Sequence, residues 1–170
     1  GSEMCIRDRF DAPFIINNTL VIGQTADARS LDNCVIVRLP QESALRQYGN
    51  LRENPANLGK QIWLQGVSST EMGTNAITQN NGTVDEFRIE GVETGGGTVE
   101  AGNGTEESPY NASQVVAMGT SANAADKWMA GYIVGWVDNT KNNGQYADET
   151  NTIFSVPATA ATTVLVADAP

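Results

Sequence analysis

The chain has 170 residues, 40% of them hydrophobic and 18% charged, with a net charge of −10 at pH 7. That is enough apolar chain for one buried core, and it excludes wholesale disorder; no run of about 18 apolar residues offers a membrane-spanning helix. A field of this sign weighs against nucleic acid as the main partner, and the lack of any histidine excludes Ser-His-Asp triads and His-ligated zinc.

Residues Gly1 to Arg9 resemble, along their whole length, the translation of transposase-adapter DNA used in sequencing libraries. They are therefore expected to be an artefact lying outside the fold. With Cys5 set aside, Cys34 stands alone and cannot form an internal disulfide. Thr19-Leu20-Val21-Ile22-Gly23 reads as a buried strand, and Cys34 to Leu39 as a second, closed by Pro40. Gln41 to Tyr48 is predicted to form a short helix, since Ala44, Leu45 and Tyr48 recur at helical spacing. Asn54-Pro55 starts another helical turn, with Gly59 as its stop, so residues 42–58 hold the helical part of this segment. Lys60 to Gly66 alternates as a strand, and Val84 to Glu90 is the next, with Phe87 and Ile89 on one face.

Residues 91–107 carry six glycines and no aromatic residue, so a flexible linker is expected there. Ser113 to Met118 reads as a short helix. The strongest strand pattern is Trp128 to Val137. Strict alternation puts Trp128, Ala130, Tyr132, Val134 and Trp136 on one face, and Met129, Gly131, Ile133, Gly135 and Val137 on the other. The two glycines allow a sharp bend. A polar loop, 138–151, leads into a last strand near 153–167.

Two stretches match each other. Phe10-x-x-Pro13, then five residues, then Thr19-Leu-Val-Ile parallels Phe154-x-x-Pro157, then five residues, then Thr163-Val-Leu-Val, at a constant offset of 144. Residues 10–153 then make up one repeat period, entered in the middle of a module.

Several motifs carry a family resemblance. Trp128-Met129-Ala130-Gly131-Tyr132-Ile133-Val134-Gly135 resembles the W-x-x-G-Y-I-V-G strand of an uncharacterised OB-fold family common in surface proteins of Bacteroidetes. Cys34-Val35-Ile36-Val37-Arg38-Leu39-Pro40 is similar to its C-I-x-V-x-L-P strand. Leu51 to Lys60 is similar to its N-L-x-D-N-P-x-N-L-G-K element. Where the family carries F-G-V-P-G-L-K-N, this chain has Met72-Gly73-Thr74-Asn75-Ala76-Ile77, so no function of that loop transfers. The resemblance implies a mainly β fold: an OB-like five-stranded barrel with short helices, circularly permuted across two tandem modules. Residues 10–90 would supply strands 2–5 of the first module (strand 4 at 60–66, strand 5 at 84–90). After the linker, 108–170 would supply a helix, strand 1 and strand 2 of the second. Closure requires 128–137 to pair with 60–66, within the chain or across a strand-swapped homodimer. The resemblance further implies an extracellular or cell-surface location.

Candidate ligand contacts are the aromatic residues Trp128, Tyr132 and Trp136, with Trp63 as a further one, because aromatic platforms stack on sugars or bases. The competing reading of these rings is barrel core. The loop from Asp138 to Glu149 has oxygen ligands at Asp138, Thr140, Asn142 and Glu149 with calcium-loop spacing, but its glycine is displaced by one position and Lys141 opposes the cation. The paired carboxylates Asp85-Glu86 and Glu106-Glu107 lack the cross-cleft placement that glycoside hydrolysis needs. No cofactor motif is present. The expectation is a non-catalytic binding or spacer module of a secreted or surface-anchored repeat protein, with a glycan or protein ligand. The alternatives are a single-stranded nucleic-acid-binding OB domain, which the charge opposes, and an accessory domain of a larger hydrolase.

Overall fold

A computed structural model describes residues 30–78, 86–90, 99–118 and 127–170. The expected strand at 19–23, the first copy of the repeat and the adapter-like residues lie outside the described residues. Apart from Ser30, the described residues belong to one unit running from Leu31 to Pro170.

The protein is mainly β. In chain order, the elements are a 3-10 turn (Leu31–Asn33), β1 (Val35–Arg38), α1 (Ala44–Gly49), a 3-10 turn (Pro55–Asn57), β2 (Gln61–Glu71), β3 (Thr74–Thr78) and β4 (Phe87–Glu90). They continue with α2 (Ala112–Met118), β5 (Lys127–Val137), a 3-10 turn (Lys141–Gly144), β6 (Thr152–Ile153) and β7 (Thr163–Ala167). The expected helical segment is two short pieces. Ser43 caps α1: its Oγ accepts the Arg46 N–H at 3.0 Å and donates to the Pro40 carbonyl at 2.7 Å. Asn50 then leaves the helix in extended backbone; its N–H still donates to the Arg46 carbonyl at 3.3 Å, and its side chain donates to the same carbonyl at 2.7 Å and accepts Glu53 N–H at 2.8 Å.

The seven described strands form one mixed sheet. β2 and β3 are an antiparallel hairpin, Val67 opposite Thr78 and Glu71 opposite Thr74. Its two-residue turn puts Met72 and Gly73 at φ 50 and 75, the left-handed pair that matches strand twist. β3 runs parallel to β1, with Ile36 opposite Ala76. β1 pairs antiparallel with β7, and β7 antiparallel with β5. β5 pairs antiparallel with β2, from Gln61 opposite Tyr132 to Gly66 opposite Lys127, so the expected pairing of 128–137 with 60–66 is present. β4 lies along the same edge of β2 as β3, Leu64 opposite Phe87. The expected strand at 84–90 is thus a short edge piece, and the segment lying beside β1 is β3, which the motif pattern marks only as an altered loop.

Both faces of the central strands are buried. Val35, Val37, Ile62, Leu64, Ile77, Met129, Ile133, Trp136, Val164 and Val166 enter an inner cluster, joined by Leu45, Leu51, Ala112 and Val115 from the helical segments. On the other face, Cys34, Ile36, Ala76, Tyr132, Val134, Leu165 and Ala167 form a second cluster, with Leu31, Met72, Val99, Ala147 and Phe154 packed on it. Two-sided burial explains why β1 and β7 read as unbroken apolar runs instead of alternating ones.

Residues 99–107 depart from the expected linker. Val99 N–H donates to the Asp168 carbonyl at 2.9 Å, and Trp128 N–H to the Gly104 carbonyl at 2.9 Å. The Gln114 side chain grips Gly102 through both its N–H and its carbonyl, at 2.8 and 2.9 Å. Gly102 is there for close approach: a Cβ would sit 2.1 Å from the Pro109 carbonyl oxygen. Glycine content signals tight backbone packing here, not freedom.

Candidate functional site

The alternation of β5 predicts Trp128, Tyr132 and Trp136 side by side. The strand does not display them so. Ile133 pairs with Val166 and Gly135 with Leu165, so Val134 is an extra residue, a β-bulge. One inserted residue reverses the alternation beyond it. Tyr132 therefore faces the outer cluster, whereas Trp136 turns into the inner one. Each is only 3% exposed. The Trp136 indole N–H donates to the Ser155 carbonyl at 2.9 Å, which places the ring firmly in the core. At Gly135 a Cβ would lie 2.3 Å from the Ile153 carbonyl oxygen, so the bulge is possible only because this position has no side chain.

The remaining two aromatic candidates do come together. Trp63 is opposite Ala130 and Gln65 is opposite Trp128. Opposed residues of an antiparallel pair point to the same side, so Trp63 and Trp128 are diagonal neighbours on the outer face of the β2–β5 pair. Both are half-buried. On the other side of β2, Arg88 of β4 is opposite Trp63, and its guanidinium lies 4.2 Å from the Trp63 ring centroid. That contact is a cation–π stack. Arg88 also bonds the Glu90 carboxylate through Nε and the Glu106 carboxylate through Nη1, each at 3.3 Å. The patch thus combines two flat rings, a fixed planar cation and exposed carboxylates at its rim. It can stack on a planar or apolar group and pair with polar ones. It holds no nucleophile–base pair.

Sequence reasoning missed Arg88. Its signal is nonetheless there: an arginine between Phe87 and Ile89 lies on the opposite face from them, in a chain with twice as many acidic as basic residues.

The Asp138 to Glu149 loop folds on its own groups. Asp138 Oδ1 accepts from the Thr140 N–H at 3.0 Å and from its hydroxyl at 2.6 Å. Asp148 repeats this with Thr150, at 2.8 and 2.6 Å. These hydrogen bonds hold both carboxyls below their ordinary range, with the Thr side-chain bond the largest cause in each. Asn142 donates to Asp148 Oδ2 at 3.3 Å, so it presents its amide N–H rather than its oxygen inward, and Glu149 is exposed. Of the oxygens expected to line a calcium site, Asp138 Oδ1 is taken up by its own turn with Thr140, and among the described residues no three acidic, His or Cys side chains gather as a metal site. Asn151, fully buried, ties the loop to the strands: its carbonyl accepts Asp138 N–H at 2.8 Å and its amide donates to the Tyr146 carbonyl at 3.0 Å. The loop is a structural clamp over the outer cluster, with Ala147 N–H donating to Met72 carbonyl at 2.9 Å.

Two surface grooves flank α1. One, of about 320 Å³, is lined by Arg46 and Arg52 but also by Glu42 and Glu53. The other, of about 200 Å³, contains Arg38, which is already 3.4 Å from Glu71. Neither gathers one sign of charge. Among the described residues, no helix is long and apolar enough to cross a membrane.

Compared with known proteins, residues 3–84 match a family described as a domain of unknown function (DUF6359), which is just under half of the chain. No curated protein and no solved structure matches.

Proposed function

We propose that this chain is a non-catalytic binding or spacer module of a secreted or surface-anchored repeat protein, recognising a glycan or protein ligand through the Trp63–Arg88–Trp128 patch. The observation that carries this reading is the patch itself. Half-exposed tryptophans beside a held arginine are the residue types that dominate recognition surfaces.

The scaffold is an OB-like barrel, circularly permuted across two tandem modules. The order of strand pairing supports this: β5 to β7 to β1 to β3 to β2 and back to β5, with β1 and β3 parallel and the other pairs antiparallel. In OB order these are strands 1, 2, 3, 5 and 4, and β4 continues strand 5 along the edge of β2. The family match ends at residue 84, just before the module boundary placed near residue 90. The motif resemblance carries the cell-surface location. A strand-swapped homodimer is the partner this permuted closure makes available.

Single-stranded nucleic acid is disfavoured. OB folds bind it across strands 2 and 3. Here those strands are β7 and β1, whose outer residues Leu165 and Ile36 are completely buried, and the net charge is −10.

The test is binding to a glycan array and to extracellular-matrix proteins, with Trp63→Ala/Trp128→Ala beside the parent. Loss of at least tenfold in affinity on an unchanged fold supports the patch, since each stacked ring contributes about 1–3 kcal/mol. Binding that survives the double substitution refutes it. No binding at all to either panel leaves the spacer role as the reading.

A further inference from the structure

The outward-facing positions around Trp63 form a small grid across three paired strands. Gln61, Trp63 and Gln65 follow one another along β2. β4 sets Glu90 beside Gln61 and Arg88 beside Trp63, and the Glu86 carbonyl accepts Gln65 N–H at 2.9 Å. From the other side, β5 sets Trp128 beside Gln65. Four steps along a strand and two strand spacings across give a face of about 13 by 10 Å, or about 130 Å². A stable protein interface takes about 800 Å² from each partner. The grid is therefore sized for a smaller ligand. It is a face of the sheet, and the two grooves described above lie elsewhere, beside α1.

The charges narrow the ligand further. Arg88 is already held by Glu90 and Glu106, each at 3.3 Å. With the exposed Glu86, three carboxylates stand against one guanidinium, a local charge of −2 in a chain of −10. A polyanion is repelled. A cationic group meets Arg88 already seated on Trp63, 4.2 Å from the ring centroid. The attractive surface that remains is neutral. It consists of the half-buried rings of Trp63 and Trp128 and the partly exposed amides of Gln61 and Gln65, which carry both donors and acceptors. A pyranose ring has the matching surface: an apolar face of C–H groups, rimmed by hydroxyls that donate and accept.

On the reading that this patch is the binding surface, we infer that its ligand is the interior of a neutral polysaccharide chain. Sugar rings stack on Trp63 and Trp128, whose backbone positions, as diagonal neighbours, are about 7–8 Å apart. Gln61 and Gln65, on either side of Trp63 along β2, take the hydroxyls. The Arg88 stack, itself held by two carboxylates, fixes the Trp63 ring before the ligand arrives, which lowers the ordering cost of binding. A sheet face takes a chain side-on, through its interior units, where a cavity would take a chain end.

The test is electrophoresis of the full chain in native gels containing soluble polysaccharide. Hydroxyethyl cellulose, xyloglucan, arabinoxylan, galactomannan and mixed-linkage β-glucan are the neutral probes; polygalacturonate and chondroitin sulfate are the anionic ones. Retardation is expected with at least one neutral probe and with neither anionic one. Calorimetry with oligosaccharides of the retarding probe should show affinity rising at least tenfold from the single sugar to about three linked units, since a second ring then stacks. Gln61→Ala/Gln65→Ala keeps both rings and should weaken binding severalfold, with an unchanged circular dichroism spectrum. Trp63→Ala/Trp128→Ala should abolish retardation. The inference is overturned by retardation in the anionic gels alone, by a single sugar binding as tightly as the longer chains, or by no retardation in any neutral gel. In that last case the matrix-protein arm separates the two readings. A matrix protein lost on Trp63→Ala/Trp128→Ala keeps the patch as the binding surface and removes only the polysaccharide; one whose binding survives removes both.

Discussion

Trp136 separates a core role from a ligand role most sharply. The ring is 3% exposed and lies in the inner cluster with Met129, Ile133 and Val164. Trp136→Ala removes the whole indole from a site walled by strands on several sides, where collapse is limited, so the expected loss is about 3–5 kcal/mol. The hydrogen bond to Ser155 is a minor share. Ser155 is exposed and its carbonyl can take up water instead, so that bond contributes about 0.5 kcal/mol. Trp136→Phe keeps much of the ring volume and is expected to cost about 1–2 kcal/mol, a sum of that bond and a smaller void. The assay is urea unfolding followed by far-ultraviolet circular dichroism, because Trp63 and Trp128 would complicate fluorescence. The midpoint should fall with little change in slope. A loss below about 1 kcal/mol for Trp136→Ala would show that the ring is not core, and the bulge assignment would fall with it.

Gly135→Ala should destabilise by about 1–3 kcal/mol in the same assay, because the new methyl meets the fixed Ile153 backbone rather than a movable side chain; a neutral result refutes the close approach. Trp63→Ala should cost only about 1 kcal/mol of stability, since the ring is half-exposed and its Arg88 stack lies at the surface. Asn50→Ala should cost about 1–2 kcal/mol, because Glu53 N–H loses its partner while the Arg46 carbonyl keeps the backbone N–H of residue 50. For Asp138 and Asp148, Thr140→Val/Thr150→Val should raise both carboxyl pKa values toward the ordinary 3.8, read by carboxyl carbon shifts in NMR. Because the folded values are depressed, their stabilisation is present above 3.8 and is lost as the pH falls through the lowered values. The gap between parent and double variant should narrow over that range; a gap constant with pH would refute the coupling.

Most elements were legible because their patterns are local. The spacing of Ala44, Leu45 and Tyr48 announces α1, Pro55 and Gly59 bracket the next turn, and the apolar runs 34–39 and 163–167 declare strands. What escaped was set by context beyond the local pattern. β3 is Thr-Asn-Ala-Ile-Thr, with two aliphatic residues; its identity comes from the Met72–Gly73 turn and from β1 waiting alongside. The glycines of 99–107 read as slack, yet Gly102 lies against Pro109 and within reach of Gln114, a contact no local pattern reveals. The candidate site was half legible. Trp63 and Trp128 could each be singled out, but their diagonal relation depends on the β2–β5 register. The expected trio failed at Val134, since nothing in Ile-Val-Gly-Trp marks where one residue will be left unpaired.

The position of β7 also bears on how the chain reaches its fold. β1, near the start of the described chain, cannot complete its pairing until residues 163–167 have been made and have threaded between it and β5. The β2–β3 hairpin and α1 can form early from neighbours in sequence, but the strand completing the β1–β5 connection arrives late. Contacts so distant along the chain slow folding and lengthen the interval in which the edge of β1 stands open. A nascent chain held at that stage is the one most exposed to pairing with a neighbour. During synthesis, the rate at which that last strand appears sets how long the sheet waits unfinished.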